Sequence, residues 1–226
     1  MALLKIQPMC QSSLSLSSMR QHSVVVSHGS RKSVAGFSLI EVLVSIVVLS
    51  FGLLGMVGMQ GAAIKANREA RLQSSAVVLA REAADMIRGN KNIGIQTTAS
   101  ANPYLGAFSN PAGSTPLELA TASYCLNVGS TACSTTADVA RAQMTEWLAR
   151  VDTELPGARV SICFDAAPYD SNGLPRWACT AGTDGVIVIK IGWTRGSTNR
   201  AATGTNAFDR ASIPSIVLPV TPGNSA

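Results

Sequence analysis

The segment Gly36-Phe37-Ser38-Leu39-Ile40-Glu41 decides how this chain is read, because it places one carboxylate at the start of a long apolar run. From Val42 to Ile64 there are 23 residues without a formal charge, enough for a helix that spans a bilayer. Arg31 and Lys32 precede the segment and form a basic flank of the kind that stays in the cytoplasm. A carboxylate in lipid is costly, so Glu41 is a candidate functional residue.

The residues from Gly36 to Val44 resemble the cleavage and methylation signature of type IV prepilins and type II secretion pseudopilins. The resemblance implies that a prepilin peptidase cuts between Gly36 and Phe37 and methylates the amino group of Phe37. It also implies a role for Glu41 in processing and assembly, as the partner of the amino terminus of a neighbouring subunit. The alternative is that Glu41 is an interfacial acid that only snorkels to the headgroups.

This cleavage point divides the chain into three predicted parts: a leader at 1–36, a transmembrane or filament-core helix at 37–64, and a periplasmic or extracellular pilin-like domain at 65–226. The leader has no sustained apolar segment, unlike a secretory signal peptide. Because 36 residues is long for a prepilin leader, Met9 and Met19 remain alternatives to Met1 as the start.

Composition argues against an enzyme and against a nucleic-acid-binding protein. The chain has a net charge of +5, and four of these positive charges lie in the leader, so the processed chain is nearly neutral. Both histidines, His22 and His28, also lie in the leader, which removes the commonest general base and metal ligand. No phosphate-binding loop, dinucleotide fingerprint or nucleophile elbow is present, and we expect no cofactor and no metal.

Four cysteines remain after the leader, which in an exported domain predicts two disulfides. They are Cys125, Cys133, Cys163 and Cys179. We favour the sequence-local pairs, Cys125 with Cys133 and Cys163 with Cys179; the other two connectivities and four buried thiols stay open. The spacings do not fit a zinc site. The run Asp170–Gly173 resembles part of a calcium loop but lacks the final acidic ligand, so we interpret it as a turn.

Hydrophobic periodicity predicts one long helix from residue 37 to about residue 90, where Gly89 and Asn90 stop it. Its first half is apolar on all sides, and its second half, from Lys65 to Arg88, is amphipathic. Within the apolar half, glycines recur every third residue over 52–61. We expect residues 52–61 to be flexible or unwound in an assembled filament; glycines that only allow close helix packing are the alternative.

The rest of the chain predicts a smaller helix and a sheet. Residues 92–123 are rich in small and polar residues and predict a surface connection. A second helix is predicted from about Thr136 to Leu155, with Trp147 as a core residue. Strands are predicted at Arg159–Phe164, Val186–Trp193 and Ile213–Val220, the last at a sheet edge because of its prolines. This order predicts an α+β fold, with the long helix packed on a small antiparallel sheet and stapled by disulfides. The resemblance to prepilins implies that this fold is pilin-like.

The globular half resembles PilV-type minor pilins, the type IV pilus modification proteins. The residues that carry this resemblance are Cys125 and Cys133, the helix with Glu146-Trp147-Leu148 ending at Leu155-Pro156-Gly157, Val160–Cys163 and Val188–Trp193. The resemblance implies a low-abundance structural subunit that joins other minor pilins in priming pilus assembly, near the tip. Its implied partners are prepilin peptidase, the other minor pilins, the major pilin, the inner-membrane assembly platform and a tip adhesin.

The implied location is the inner membrane, as a single-pass protein with a cytoplasmic N-terminus, and then the pilus at the cell surface. The first alternative function is a minor pseudopilin of a type II secretion system, which shares the motif and the fold. A membrane-tethered exported hydrolase is a third hypothesis, weakened by the missing histidines.

Overall fold

The computed structural model describes residues 36–109, 116–182, 186–199 and 201–223, without the side chain of Thr205. Leader residues 1–35, with the alternative starts, lie outside the described part. The chain divides into two compact units, Met1–Phe51 and Gly52–Ala226. The predicted functional boundary at Lys65 is a different division and stays a prediction.

The first helix, α1 (Leu39–Gly89), has bounds within two residues of those predicted. Just before it, the carbonyl of Ser38 accepts hydrogen bonds from the N–H groups of Glu41 and Val42, at 3.0 and 3.3 Å. The buried residues of α1 all lie in its C-terminal part and recur at three and four positions: Ala76, Leu79, Ala80, Ala83, Ala84 and Ile87. This spacing confirms the amphipathic second half. In the single chain α1 is helical through residues 52–61, and their state in a filament stays a prediction.

In its described residues, the second unit adds two helices, a 3₁₀ turn and six strands. They are α2 (Lys91–Gly94), β1 (Gly106–Ser109), α3 (Thr136–Glu154), β2 (Arg159–Asp165), β3 (Val186–Gly192), β4 (Arg195–Gly196), the 3₁₀ turn (Gly204–Ala207), β5 (Phe208–Asp209) and β6 (Ile216–Val220). An antiparallel sheet has the order β1-β2-β3-β6, and β4 pairs with β5 in a separate two-stranded ladder. The predicted α+β class and the three predicted strands are confirmed, with β6 at an edge.

Helix α3 is fixed at its start and along its buried face. Thr135 and Asp138 form a reciprocal capping box at its N-terminus, which satisfies two orphan N–H groups. Trp147 is fully buried, and its indole N–H donates to the carbonyl of Leu79 on α1 at 3.0 Å. Arg150 forms an ion pair with Glu82 of α1. Packing and polar contacts therefore hold α3 against the second half of α1.

One prediction was incomplete: the segment 92–123 is more than a surface connection. It contains β1, which pairs with β2 from Gly106 opposite Ile162 to Ser109 opposite Arg159. It also contributes Tyr104 and Leu117 to the core. A four-residue strand with one large side chain, Phe108, has too little alternation to be recognised among Pro, Gly and Ser residues.

Candidate processing and assembly site

The residues predicted to be cleaved and methylated are accessible in this structure. Gly36 and Phe37 precede α1 and are exposed, and the side chain of Phe37 is 82 % exposed. Glu41 lies in the first turn of α1 and is also exposed. A carboxylate in the first turn is favoured by the partial positive charge of the helix N-terminus. An enzyme can therefore reach the Gly36–Phe37 bond without unfolding a packed domain.

Glu41 is the only charged residue on α1 before Lys65. It lines a shallow groove of about 240 Å³ on one face of the helix. The other residues of this groove are Phe37, Val42, Ser45, Ile46 and Leu49. The Ser45 hydroxyl donates to the carbonyl of Glu41 at 2.7 Å, and the Ser50 hydroxyl likewise donates to Ile46. The hydroxyl groups of both serines are therefore hydrogen-bonded within α1. The carboxylate of Glu41 is the polar group in this groove that is left to interact with another molecule.

The apolar part of α1 is unprotected in the single chain. Among the described residues, α1 is the one helix long and apolar enough to cross a membrane, and none of its most apolar window is buried. The large exposed side chains include Leu39, Ile40, Leu43, Ile46, Leu49, Phe51, Leu53, Leu54 and Ile64. Such a continuous apolar surface is not stable in water, so it requires lipid or the helices of other subunits.

Packing among the described residues does not require the glycines at positions 52, 55, 58 and 61. A Cβ added at any of the four would meet nothing within 4 Å, and none of them has a positive φ. Each costs about 1 kcal/mol of helix propensity relative to alanine. Open space around all four fits close approach of neighbouring helices or local unwinding there.

The amino-terminal segment also matches a known family. Residues 31–57 match the family model described as the prokaryotic N-terminal methylation motif. This match supports a type IV pilin or pseudopilin. Together with the apolar helix it fits membrane anchoring followed by incorporation into a pilus, processing by a prepilin peptidase, and a structural subunit. No curated protein and no solved structure matches the chain.

The structure forms the two sequence-local disulfides in the pilin-like domain. Cys125 and Cys133 have a Cα–Cα distance of 5.0 Å, and Cys163 and Cys179 have one of 6.4 Å. The second bond ties β2 to the segment 166–182. Within that segment Asp170 Oδ1 accepts from the N–H groups of Asn172 and Leu174, both at 2.8 Å, so the predicted turn is confirmed.

Sequence analysis missed a buried ion pair beside this disulfide. Lys190 on β3 and Asp165 on β2 have side chains with 0 % exposure, and Lys190 Nζ lies 2.5 Å from Asp165 Oδ2. Lys190 also donates to the carbonyl of Ala178 at 2.8 Å. Asp165 Oδ1 accepts from the N–H groups of Ala167 and Thr180 at 3.0 and 2.9 Å. The pair thus fastens both ends of the segment 166–182 to the sheet.

Burial by itself would raise the pKa of Asp165, because it penalises the charged form. The hydrogen bond from Lys190, the N–H groups of Thr180 and Ala167 and the ammonium charge outweigh it, and the pKa lies below its usual 3.8. A depressed carboxyl pKa contributes stability that is complete above the unfolded value and is lost as the pH falls through the folded value.

Among the described residues, the one cluster of possible metal ligands does not form a metal centre. Cys163, Asp165 and Cys179 lie within 4.8 Å of one another. However, the two sulfurs are bonded to each other and the carboxylate is paired with Lys190, so the set does not offer three free ligands. A cavity of about 560 Å³ beside this disulfide is lined by apolar and small residues such as Leu105, Ile162 and Phe164, without an ionisable acid or base.

We expect removal of the Cys163–Cys179 bond to destabilise the domain more than removal of the Cys125–Cys133 bond. Its loop is twice as long, with a sequence separation of 16 against 8. On the loop-entropy account the Cys163→Ser/Cys179→Ser variant should lose about 3 kcal/mol and the Cys125→Ser/Cys133→Ser variant about 2.5 kcal/mol. The Cys163→Ser/Cys179→Ser variant should lose further stability, because the segment 166–182 also contacts the ion pair of Lys190 and Asp165.

The measurement is the free energy of unfolding of the full-length protein in urea and detergent, with tryptophan fluorescence as the signal. Equal losses, or a larger loss for the Cys125→Ser/Cys133→Ser variant, would contradict the importance we give to the 166–182 segment.

Proposed function

We propose that this chain is a minor pilin of a type IV pilus, a structural subunit that helps to initiate pilus assembly in a complex of minor pilins near the tip. The observation that carries the proposal is an accessible prepilin motif with a single carboxylate, followed by an unprotected apolar helix and a disulfide-stapled α+β domain. The resemblance of the globular half to PilV-type minor pilins supports the minor-subunit assignment.

In the proposed sequence of events the leader stays in the cytoplasm, α1 inserts into the inner membrane and the globular domain is exported. Prepilin peptidase cuts after Gly36 and methylates Phe37. The apolar half of α1 then leaves the lipid for the filament core, where neighbouring helices replace the acyl chains. The unpaired Glu41 would there meet the amino terminus of the next subunit. Other minor pilins, the major pilin, the assembly platform and a tip adhesin are the proposed partners.

The expected result is an N-methylated Phe37 at the amino terminus of the protein recovered from sheared pili. Mass spectrometry of the pilus and membrane fractions, from cells with and without prepilin peptidase, measures it. A Gly36→Val variant is the matched control, since a branched side chain before the scissile bond should lower cleavage by about a hundredfold. Wild-type chain that keeps the Gly36–Phe37 bond in the presence of the peptidase would refute the pilin assignment.

The second candidate is a minor pseudopilin of a type II secretion system, since the motif and the unprotected helix serve both assemblies equally. Processed protein that remains in the membrane fraction and is absent from pili would favour it. Loss of secreted enzymes from the medium on deletion of the gene would then be the decisive observation. The exported-hydrolase hypothesis has no support from the cavities described above.

A further inference from the structure

A cavity lies beside the first turns of α1 that follow the apolar run. Its volume is about 420 Å³. From α1 it is lined by Lys65, Arg68, Glu69 and Leu72, and from the segment after β3 by Thr194, Arg195, Gly196 and Ser197, with Pro156 and Phe208. All these residues belong to the second unit, so the cavity is a feature of the pilin-like domain itself.

Cations dominate the lining of this cavity. It has three positive side chains, Lys65, Arg68 and Arg195, against one carboxylate, Glu69. Lys65 and Arg68 are exposed and three residues apart, so they share one face of α1. Throughout the described ranges no salt bridge holds either of them. The cavity therefore carries a local excess of two positive charges.

Arg195 is held in place before any ligand arrives. Its Nε lies 2.8 Å from Glu69 Oε1, and its Nη2 donates to the Ser215 hydroxyl at 3.1 Å. Its guanidinium also lies over the ring of Trp193, 4.8 Å from the ring centre. A guanidinium fixed in this way loses little conformational entropy when it binds an oxyanion, and its remaining N–H groups suit phosphate oxygens.

The position of the cavity along the chain corresponds to the headgroup level of a bilayer. The uncharged run ends at Ile64, and Lys65 is the next residue. Its 23 residues form about 34 Å of helix, close to the thickness of a hydrocarbon core. Phe208, which is 60 % exposed, adds an apolar ring to the lining at the same place.

The charges are also unusual for the proposed orientation. Lys65 and Arg68, which line the cavity, follow the run directly, on the side that is exported in the proposed orientation. Translocated flanks are normally poor in Lys and Arg, because positive charges hold a flank in the cytoplasm. The two cations of the cavity on this flank are therefore available to an anionic group on the exported side.

We propose that this cavity binds the phosphate of an anionic phospholipid in the exported leaflet while the subunit waits in the membrane. The inference rests on the proposed function, since it needs α1 inserted with the globular domain outside. Lys65 and Arg68 neutralise the headgroup charge, Arg195 binds the phosphate oxygens, and Ser197 and Thr194 offer hydroxyl groups to the glycerol. This contact holds the globular domain at a defined height above the bilayer. It must break when α1 leaves the membrane for the filament.

The test is a lipid titration of the full-length protein in maltoside micelles, read by native mass spectrometry. The probes are dioleoyl phosphatidylglycerol and, as the neutral comparison, dioleoyl phosphatidylcholine. Each positive charge near an anionic lipid contributes about fivefold to binding. The local excess of two positive charges should therefore give a preference for phosphatidylglycerol of about thirtyfold. The Lys65→Ala/Arg68→Ala variant should lose this preference. Arg71→Ala/Arg81→Ala, which removes two exposed cations of α1 outside the cavity, should keep it.

Three results would overturn the proposal. The first is no preference for phosphatidylglycerol in the unaltered protein. The second is an equal loss in both double variants, which would mean attraction by diffuse surface charge. The third is an unchanged lipid preference together with poor pilus incorporation of the Lys65→Ala/Arg68→Ala variant, which would assign the cations to an acidic side chain of a neighbouring subunit. Because the titration uses purified chain, a failure of the minor-pilin proposal in cells remains distinguishable from a failure here.

Discussion

A chain with Glu41→Ala is expected to be cut after Gly36 and yet to be at least about a hundredfold depleted from pili. Glu41 is the one charged group on an apolar, exposed stretch of helix. In a filament core of packed helices its carboxylate needs a partner, and the amino terminus released at Phe37 is the proposed one. Removing one member of a buried ion pair costs about 3–5 kcal/mol, more than a hundredfold in an equilibrium between membrane and filament.

Mass spectrometry of membrane and pilus fractions measures this prediction. Glu41→Gln separates charge from shape: it keeps the size and most hydrogen-bonding capacity, and it should fail like the alanine variant. Asp85→Ala is the matched control, since Asp85 is another acid of α1, its side chain is 76 % exposed, and within the described part of the chain it forms a salt bridge only with Arg88. Pili that contain the Glu41→Ala chain at wild-type levels would contradict the assembly role of this carboxylate.

The long helix and the candidate site could be predicted because they depend on local sequence. A run of 23 uncharged residues leaves few alternatives to a helix, and the amphipathic repeat that follows predicts which face of α1 is buried. The same holds for α3, where Thr135 and Asp138 mark the start and Trp147 lies on the apolar face. In each case the residues that decide the structure are within a few positions of one another.

The features that were missed depend on contacts between distant residues. Strand β1 exists because β2 offers it hydrogen bonds, and its own four residues carry almost no strand signal. The 420 Å³ cavity joins the start of the amphipathic part of α1 to residues about 130 positions later, which no local pattern relates. A signal did exist for the buried ion pair: Lys190 interrupts a β-branched strand, Val186–Gly192, that is otherwise apolar. A charge in such a strand indicates a buried partner.

We expect Lys190→Met to destabilise the pilin-like domain by about 3–5 kcal/mol, although methionine is apolar and fills a similar volume. The variant leaves the carboxylate of Asp165 buried with two backbone donors and no counter-charge, and it removes the hydrogen bond to Ala178. The measurement is the free energy of unfolding in urea. All three tryptophans, at 147, 177 and 193, lie in the second unit, so their fluorescence reports on this domain.

Lys91→Met is the matched control, because Lys91 is exposed and its replacement should cost less than about 0.5 kcal/mol. The dependence of the free energy of unfolding on pH in the acid range (the acid limb) gives an independent check on the role of the ion pair. In the unaltered protein the pKa of Asp165 lies below 3.8, so its contribution is complete above that pH and is lost as the pH falls through the folded value. Without the ammonium group, burial raises this pKa, so the buried carboxylate becomes a penalty that is relieved as the pH falls, and the stabilities of the Lys190→Met variant and the unaltered protein should converge in acid. A variant as stable as the unaltered protein, with the same acid limb, would mean that the 166–182 segment is held by the disulfide alone.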